Sequence, residues 1–182
     1  EASVSDNLKF GTVNGVSWHA DPKLDILAIF RSYDKGFQSL YSVGFGESSD
    51  NSAEIGLYVG MNARLSKRIS MTAYYDQFKY TYFKWLTDDY SEGREFFVQF
   101  NFKVDRNSSF HFRMRNKVTE RNSKDDVTGI DGQVQLNKTN FRLNYDQRIN
   151  SRISLKSRIE FTRFLYGEDK SNGLLLFQDF IY

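Results

Sequence analysis

The segment Glu54–Tyr80 alternates between apolar and polar residues in two consecutive runs, and this alternation constrains the fold more than any other feature of the chain. Successive side chains of a β-strand point to opposite faces, so a period of two predicts strands. The apolar positions between Ile55 and Leu65 extend over about eleven residues, which is the length that a tilted strand needs to cross a bilayer. A soluble sandwich would also bury one face, so this pattern alone leaves both fold classes open.

Composition favours strands and excludes several other classes of protein. Aromatic residues make up 16% of the chain, which is typical of strands and of the aromatic girdles of membrane barrels. The chain has no cysteine, so disulfides and cysteine metal sites are excluded. No run of about 18 apolar residues exists, so the sequence predicts no transmembrane helix. The formal net charge of +2 does not by itself indicate a nucleic-acid partner.

Alternating segments recur along the whole chain and are joined by connections of two lengths. Short turns recur near Asp21, Lys67, Arg106 and Asn150, at intervals of roughly forty to forty-five residues. They strictly alternate with longer loops, the last of which is expected over residues 167–172. A propeller blade packs four strands into such a period, whereas each interval here holds two long ones. Short turns at one end and long loops at the other are typical of outer-membrane barrels. The sequence therefore predicts an all-β fold, an antiparallel transmembrane β-barrel, and a soluble sandwich is the alternative.

About nine strands are expected in residues 1–182, which we interpret as an internal portion of a single β-barrel domain. Bacterial single-chain barrels have an even number of strands, and an open barrel would leave unpaired strand edges in lipid. We therefore expect a larger even-stranded barrel, in which further chain or a partner supplies the missing strands.

The period of two divides the predicted strands between a lumen and the lipid. The charged residues expected to line the lumen are Glu54, Arg64, Asp76, Glu95, Lys103, Arg113, Arg115, Lys117, Arg142, Asp146, Lys156, Arg158 and Glu160. The residues expected to face lipid are Ile55, Leu57, Val59, Met61, Phe96, Val98, Phe100, Phe102, Phe110 and Phe112. An aromatic girdle is expected from Tyr80, Tyr82, Phe83 and Trp85, together with Phe37, Tyr41 and Phe45. The near-balance of charge favours a salt-bridged lumen, and a cationic lumen that passes anions or nucleic acid is the alternative.

Candidate catalytic and metal-binding residues are few. Ser109 and His111 share a strand face, but residues two apart are expected to be too distant for the hydrogen bond that a nucleophile and its base require. The acidic pairs Asp88-Asp89 and Asp125-Asp126 lie in expected loops and could bind Ca²⁺, although solvated loop acids are the simpler interpretation. His19 lies beside a turn. The sequence predicts no catalytic residue, no metal site and no cofactor.

Several stretches carry a resemblance beyond the alternation of strands. They are NGVSWHADPKLDILAIFRSY, FGESSDNSAEIGLYVGMNARLSKRISMTAYYDQFKY and KWLTDDYSEGREFFVQFNF, with LKSRIEF and SNGLLLFQDFIY later in the chain. Together they resemble the barrel portion of a family of Bacteroidota outer-membrane proteins that carry helix-hairpin-helix repeats before the barrel. The helix-hairpin-helix region is not present in this chain, and the family pattern continues beyond the position of Tyr182. The resemblance implies the cell outer membrane of a Gram-negative bacterium as the location.

The expected function follows from this fold and this resemblance. We expect a non-enzymatic barrel that acts as a channel or as a scaffold component of a larger envelope assembly for secretion, import or barrel assembly. The expected partners are outer-membrane lipid, lipopolysaccharide and other envelope proteins. A DNA-binding or DNA-uptake barrel is one alternative, because helix-hairpin-helix units imply contact with DNA. An outer-membrane hydrolase is the other.

Overall fold

The computed structural model describes residues 1–39, 44–85, 87–123 and 132–182. These residues form one antiparallel sheet in which ten strands pair in sequence order. The strands are β1 (Ala2–Val4), β2 (Phe10–Asp21), β3 (Leu24–Tyr33), β4 (Glu54–Arg64), β5 (Ile69–Tyr80), β6 (Ser91–Lys103), β7 (Ser108–Asn122), β8 (Gln133–Arg148), β9 (Ser154–Tyr166) and β10 (Asp169–Ile181). The described residues contain no helix, and none of them forms a segment that could span a membrane as a helix.

The prediction of an all-β antiparallel fold is confirmed, but the strand count differs from the expected nine. The additional strand is β1, whose three residues pair with β2 from Ala2 opposite Thr12. Three residues are too few for an alternation to be recognised. The sheet is not closed, because β1 and β10 lie at its two edges and do not pair with each other.

The connection between β9 and β10 also differs from the expected long loop over residues 167–172. Tyr166 pairs directly with Asp169, so Gly167 and Glu168 alone form the turn. Gly167 has a φ of 57°, a left-handed conformation that glycine adopts without steric cost. The expected alternation of short and long connections is therefore wrong at this position. Residues 169–172 belong to β10 and do not form a loop.

The register separates an apolar face of the sheet from a charged one. The row through the centre of the apolar face runs unbroken from β2 to β10 through Trp18, Ile26, Met61, Ala73, Val98, Met114, Phe141, Phe161 and Leu174. The adjacent row on the charged face passes through Asn62, Thr72, Gln99, Arg113, Arg142 and Glu160. We call the two sides of the sheet that contain these rows the apolar face and the charged face.

The sheet is a single layer with little core. A compact globular protein of 21.3 kDa exposes about 9,100 Å² of surface, whereas this chain exposes 12607 Å². Apolar side chains of the described residues are buried only at Tyr33, Phe37, Ala53, Phe78 and Val118. By contrast Leu57, in the middle of β4, keeps 51% of its surface exposed. The apolar face is therefore not covered by a second layer of the described chain.

The connections of the sheet emerge at two ends. The longer connections, 34–53, 81–90 and 123–132, join strands at one end of the sheet, which we call the loop end. The shorter connections, 22–23, 65–68, 104–107 and 149–153, join strands at the opposite end, which we call the turn end. The charged face runs between these two ends.

Candidate functional site

A buried arginine lies on the charged face near the loop end. The Arg31 guanidinium on β3 donates from Nε to Glu54 Oε1 at 2.6 Å and from Nη1 to Asp76 Oδ1 at 2.8 Å. The carboxylates come from β4 and β5, so three strands in succession contribute one charge each. Arg31 and Glu54 are fully buried. A buried guanidinium is stable only when carboxylates compensate its lost hydration, and here two of them do so.

A glycine makes room for this arginine. Gly56 pairs directly with Arg31, and a Cβ atom at Gly56 would lie 2.4 Å from Arg31 Cζ. Glycine inside a strand often marks such a close approach. The cluster therefore depends on the absence of a side chain at one position of β4.

Residues 44–53 cover the cluster, and we call them the cap segment. The backbone N–H groups of Glu47 and Ser48 donate to the Glu54 carboxylate at distances of 3.0 to 3.2 Å. The Phe45 ring lies 5.3 Å from Arg31 Cζ, a cation–π contact that excludes water from the guanidinium. Buried Asn51 ties the segment together, since its side chain accepts from Gly44 N at 2.6 Å.

A second set of charges extends the network to β7. The Arg115 guanidinium donates two hydrogen bonds of 2.7 Å to the Glu95 carboxylate, the bidentate geometry that arginine prefers. The Tyr74 hydroxyl donates to the same carboxylate. Lys117 forms an ion pair with Glu47 of the cap segment and lies 3.8 Å from Glu95. Ion pairs therefore join β3 to β4 and β5, and β6 to β7, while the carboxylates of Asp76 and Glu95 lie opposite each other between β5 and β6. The Lys117–Glu47 pair ties the cap segment to β7.

A hydrogen bond outside this network anchors the cap segment to the β5–β6 connection. Lys84 Nζ donates to the Asp50 carboxylate at 2.9 Å. Partial burial acts to raise the pKa of Asp50, but the hydrogen bonds from Lys84 and Ser48 outweigh it. The pKa of Asp50 therefore lies below its ordinary value.

Strands β7 and β8 present a different arrangement, in which cations oppose cations. Arg113 pairs directly with Arg142, and Lys117 pairs directly with Lys138. Arg142 binds Glu160 of β9 at 2.6 Å, and Asn140 donates to the same carboxylate. Arg113 Nε is buried without a hydrogen-bond partner among the described residues. These side chains line a cavity of about 340 Å³.

A larger cavity of about 860 Å³ lies at the turn end. Lys103, Asp146 and Lys156 line it together with cations of the short turns, among them Arg68 and Arg148. These cationic side chains are exposed. They differ in this respect from Arg31 at the opposite end of the same face.

The serine–histidine pair lies beside this cavity, and the expectation that it cannot make contact is wrong. Ser109 Oγ lies 3.3 Å from His111 Nε2, because both side chains leave the same strand face and the imidazole ring spans the gap. His111 Nδ1 lies 2.8 Å from Asn101 Oδ1. However, Asp146 Oδ2 also lies 3.3 Å from Nε2. The Asn101 oxygen can only accept, so in the neutral ring the proton lies on Nδ1 and Nε2 is the acceptor. An amide therefore orients this ring at Nδ1, where a serine triad uses a carboxylate.

The structure places the remaining predicted residues as follows. Every charged residue expected in the lumen lies on the charged face, and every apolar residue expected at lipid lies on the apolar face. Trp85 is 90% exposed, and Tyr82 packs against Phe83 in the same connection. Tyr80 lies on the charged face opposite Glu54, and Phe37 is buried against Tyr33, so neither faces outward as a girdle residue would.

The metal and loop candidates have simpler surroundings. The Asp89 carboxylate accepts a hydrogen bond from Tyr90 N, and the backbone N–H of Asp88 donates to Asn122 Oδ1. His19 contacts Asp25 across the β2–β3 hairpin. Within the described ranges, no group of three or more acidic or histidine side chains could hold a metal ion. Tyr41, Asp125 and Asp126 lie outside the described residues.

The sequence analysis missed three charged residues of the Arg31 cluster and the β7–β9 cavity, namely Arg31, Glu47 and Lys138, and also the polar residues Tyr74, Asn140 and Thr162. Arg31 follows Leu27 and Ile29 on the same strand face, so β3 looks apolar on both sides. Lys138 follows Val134 and Leu136 on the same face of β8, so the local pattern does not mark that face as charged. The glycines at positions 56 and 93 of the charged face were a usable signal, because strand glycines indicate a large neighbour.

Comparison of this chain with protein-family models, with curated proteins and with solved structures finds no match.

Proposed function

We propose that the sheet is part of the wall of a β-barrel in the outer membrane of a Gram-negative bacterium, with its apolar face toward lipid and its charged face toward the lumen. The separation of the two faces is the observation that carries this proposal. Side chains such as Leu57, Ile159 and Leu176 are half exposed or more, and they form continuous rows rather than single sites. Soluble monomers rarely expose an apolar patch of more than a few hundred Å².

Strand length agrees with this proposal. A tilted transmembrane strand needs about 9–11 residues, and the strands from β2 to β10 have between 10 and 16 residues. The free edges of β1 and β10 would be costly in lipid, since each unpaired backbone group loses its hydrogen bonds there. Additional strands, from further chain or from a partner, would pair with these edges in the complete barrel.

The role that we propose is that of a non-enzymatic channel or a scaffold component of a larger envelope assembly. The cap segment supports a narrowed lumen, because it folds over the charged face and pairs with both Glu54 and Lys117. The Asn101 amide, rather than the carboxylate of a serine triad, orients the His111 ring, and this favours a non-enzymatic role over a serine hydrolase. Lipid, lipopolysaccharide and neighbouring envelope proteins are the proposed partners.

Cysteine substitution tests the orientation directly, because the natural chain contains no cysteine. Leu57→Cys and Val98→Cys would place a thiol on the apolar face, and Asn62→Cys and Gln99→Cys are matched controls on the charged face. In vesicles, the first pair should resist a water-soluble maleimide, and a fluorophore attached there before reconstitution should be quenched by lipid-borne quenchers. The second pair should behave in the opposite way.

The opposite outcomes would contradict the proposal in distinct ways. Equal maleimide labelling at all four positions would exclude a membrane location for the sheet. Recovery of the protein in the soluble periplasmic fraction would exclude it independently. If the full-length protein purifies as a closed barrel without any co-purifying protein, this result would contradict the scaffold role and support the channel.

A nucleic-acid-binding barrel is the second candidate function, and the opposed cations of β7 and β8 favour it. Phosphate contacts give nucleic-acid binding its steep salt dependence. Retention of single-stranded DNA that falls steeply between 50 and 200 mM salt, and that is lost in Arg113→Gln, would support this candidate. Absence of retention at low salt would remove it.

A further inference from the structure

The cavity between β7, β8 and β9 combines two features that native sheets normally avoid. Like charges directly opposite each other on neighbouring strands destabilise a sheet, and here Arg113 opposes Arg142 while Lys117 opposes Lys138. In addition, Arg113 Nε is a buried donor without a partner among the described residues. The Arg31 cluster shares both features, because Asp76 pairs directly with Glu95 and Arg31 Nη2 also lacks a hydrogen-bond partner among the described residues. The cavity differs from that cluster in the balance of its charges.

Five cationic side chains line the cavity, and three of them form an ion pair with a carboxylate. Arg115 pairs with Glu95, Lys117 pairs with Glu47, and Arg142 pairs with Glu160. In the described part of the chain, Arg113 and Lys138 have no ion-pair partner, although both line the cavity. Two positive charges therefore remain without a counter-charge.

We propose that this cavity binds a phosphate group in its dianionic form, either as inorganic phosphate or as the terminal group of a phosphate monoester. A dianion matches the two uncompensated cations in charge. Arginine and lysine supply only donors, and phosphate oxygens are acceptors that suit the planar guanidinium fork. The cavity volume of about 340 Å³ accommodates one such group with part of its ester. The proposal concerns the cavity itself and does not require that the sheet lie in a membrane.

The neighbouring polar side chains limit the choice of ligand. Glu160 accepts hydrogen bonds from Arg142 and Asn140, so the one carboxylate that lines the cavity is already occupied. Thr162 Oγ1 accepts from the Asn140 amide and keeps its hydroxyl proton available to an acceptor. A phosphodiester within a nucleic acid carries one negative charge and leaves one cation uncompensated. A terminal phosphate is therefore favoured over an internal one.

Calorimetric titration of the purified full chain with inorganic phosphate, at low ionic strength and pH 8, tests the proposal. The variants are Arg113→Gln and Lys138→Gln, and the matched controls are Lys103→Gln and Lys156→Gln at the turn end. We expect each cavity variant to weaken phosphate binding at least tenfold, while both controls bind within about twofold of the unchanged protein. A soluble phosphate monoester should compete with inorganic phosphate, whereas an oligonucleotide without a terminal phosphate should not.

Each alternative result has a defined meaning. If the unchanged protein does not bind millimolar phosphate, the proposal is overturned. If the turn-end controls weaken binding as much as the cavity variants do, general charge attraction explains the binding and the cavity does not. Competition by the unphosphorylated oligonucleotide would assign the site to phosphodiesters and support the nucleic-acid candidate. Cysteine labelling is independent of all these outcomes, so failure here leaves the membrane proposal intact.

Discussion

Two regions of the charged face solve the problem of clustered charge in opposite ways. In the region from β3 to β6, which we call the covered region, Arg31 compensates the carboxylates of Glu54 and Asp76, and all three side chains are buried beneath the cap segment. In the region from β7 to β9, cations oppose cations across the β7–β8 pair and line an accessible cavity. The difference indicates a structural role for the first region and a ligand-binding role for the second, and each of the following predictions tests it.

The largest effect is expected from Arg31→Met in the covered region. The substitution keeps most of the side-chain volume but leaves Glu54 and Asp76 buried without a cation, which costs about 3–5 kcal/mol in comparable cases. Urea unfolding of the refolded protein measures the loss. Arg64→Met is the control, since Arg64 is exposed at the turn end of the same face. Equal losses of unfolding free energy in the two variants would show that burial does not increase the contribution of Arg31 to stability.

A smaller loss is expected from Gly56→Ala. The added methyl group would lie 2.4 Å from Arg31 Cζ, so the guanidinium must move away from its two carboxylates. Overpacking of this kind typically costs about 1–3 kcal/mol. Gly173→Ala is the matched control, because nothing lies within 4 Å of a Cβ atom there. The control should be neutral or slightly stabilising, as alanine is favoured over glycine inside a strand.

The sequence predicted the all-β class and most hairpins, because alternation along β4 to β7 depends only on local order. It could not predict the covered region, since Glu47 meets Lys117 of β7 across 70 positions of sequence. Contacts of that kind depend on how a loop folds back over a finished sheet. The cation pairs of β7 and β8 were hidden for a different reason: the register had to be known before Lys138 could be placed opposite Lys117.

In the region from β7 to β9, the sign of the stability change should reverse. Arg113→Gln removes a like-charge contact and a buried donor without a partner, so we expect a gain of about 0.2–1 kcal/mol in phosphate-free buffer. Arg142→Gln is the contrasting variant, because it leaves Glu160 without its guanidinium and should lose stability. Loss of stability in both variants would mean that this region is built for stability, as the covered region is.

The smallest effect should come from the Lys84–Asp50 contact, which anchors the cap segment from outside. Asp50 is 59% exposed, so its ion pair contributes at most about 1 kcal/mol. The pKa of Asp50 in the folded protein lies below its ordinary value of 3.8, so this contribution is complete above pH 3.8 and is lost as pH falls through the lower folded value. The difference in unfolding free energy between the unchanged protein and Lys84→Met should therefore vanish in strong acid. Trp85, next to Lys84, provides a local fluorescence signal once Trp18→Phe removes the other tryptophan. A difference that persists well below the folded pKa would show that Lys84 supports the cap segment by packing rather than by charge. The contacts of the segment with Glu54 and with Lys117 would then be its electrostatic links to the sheet.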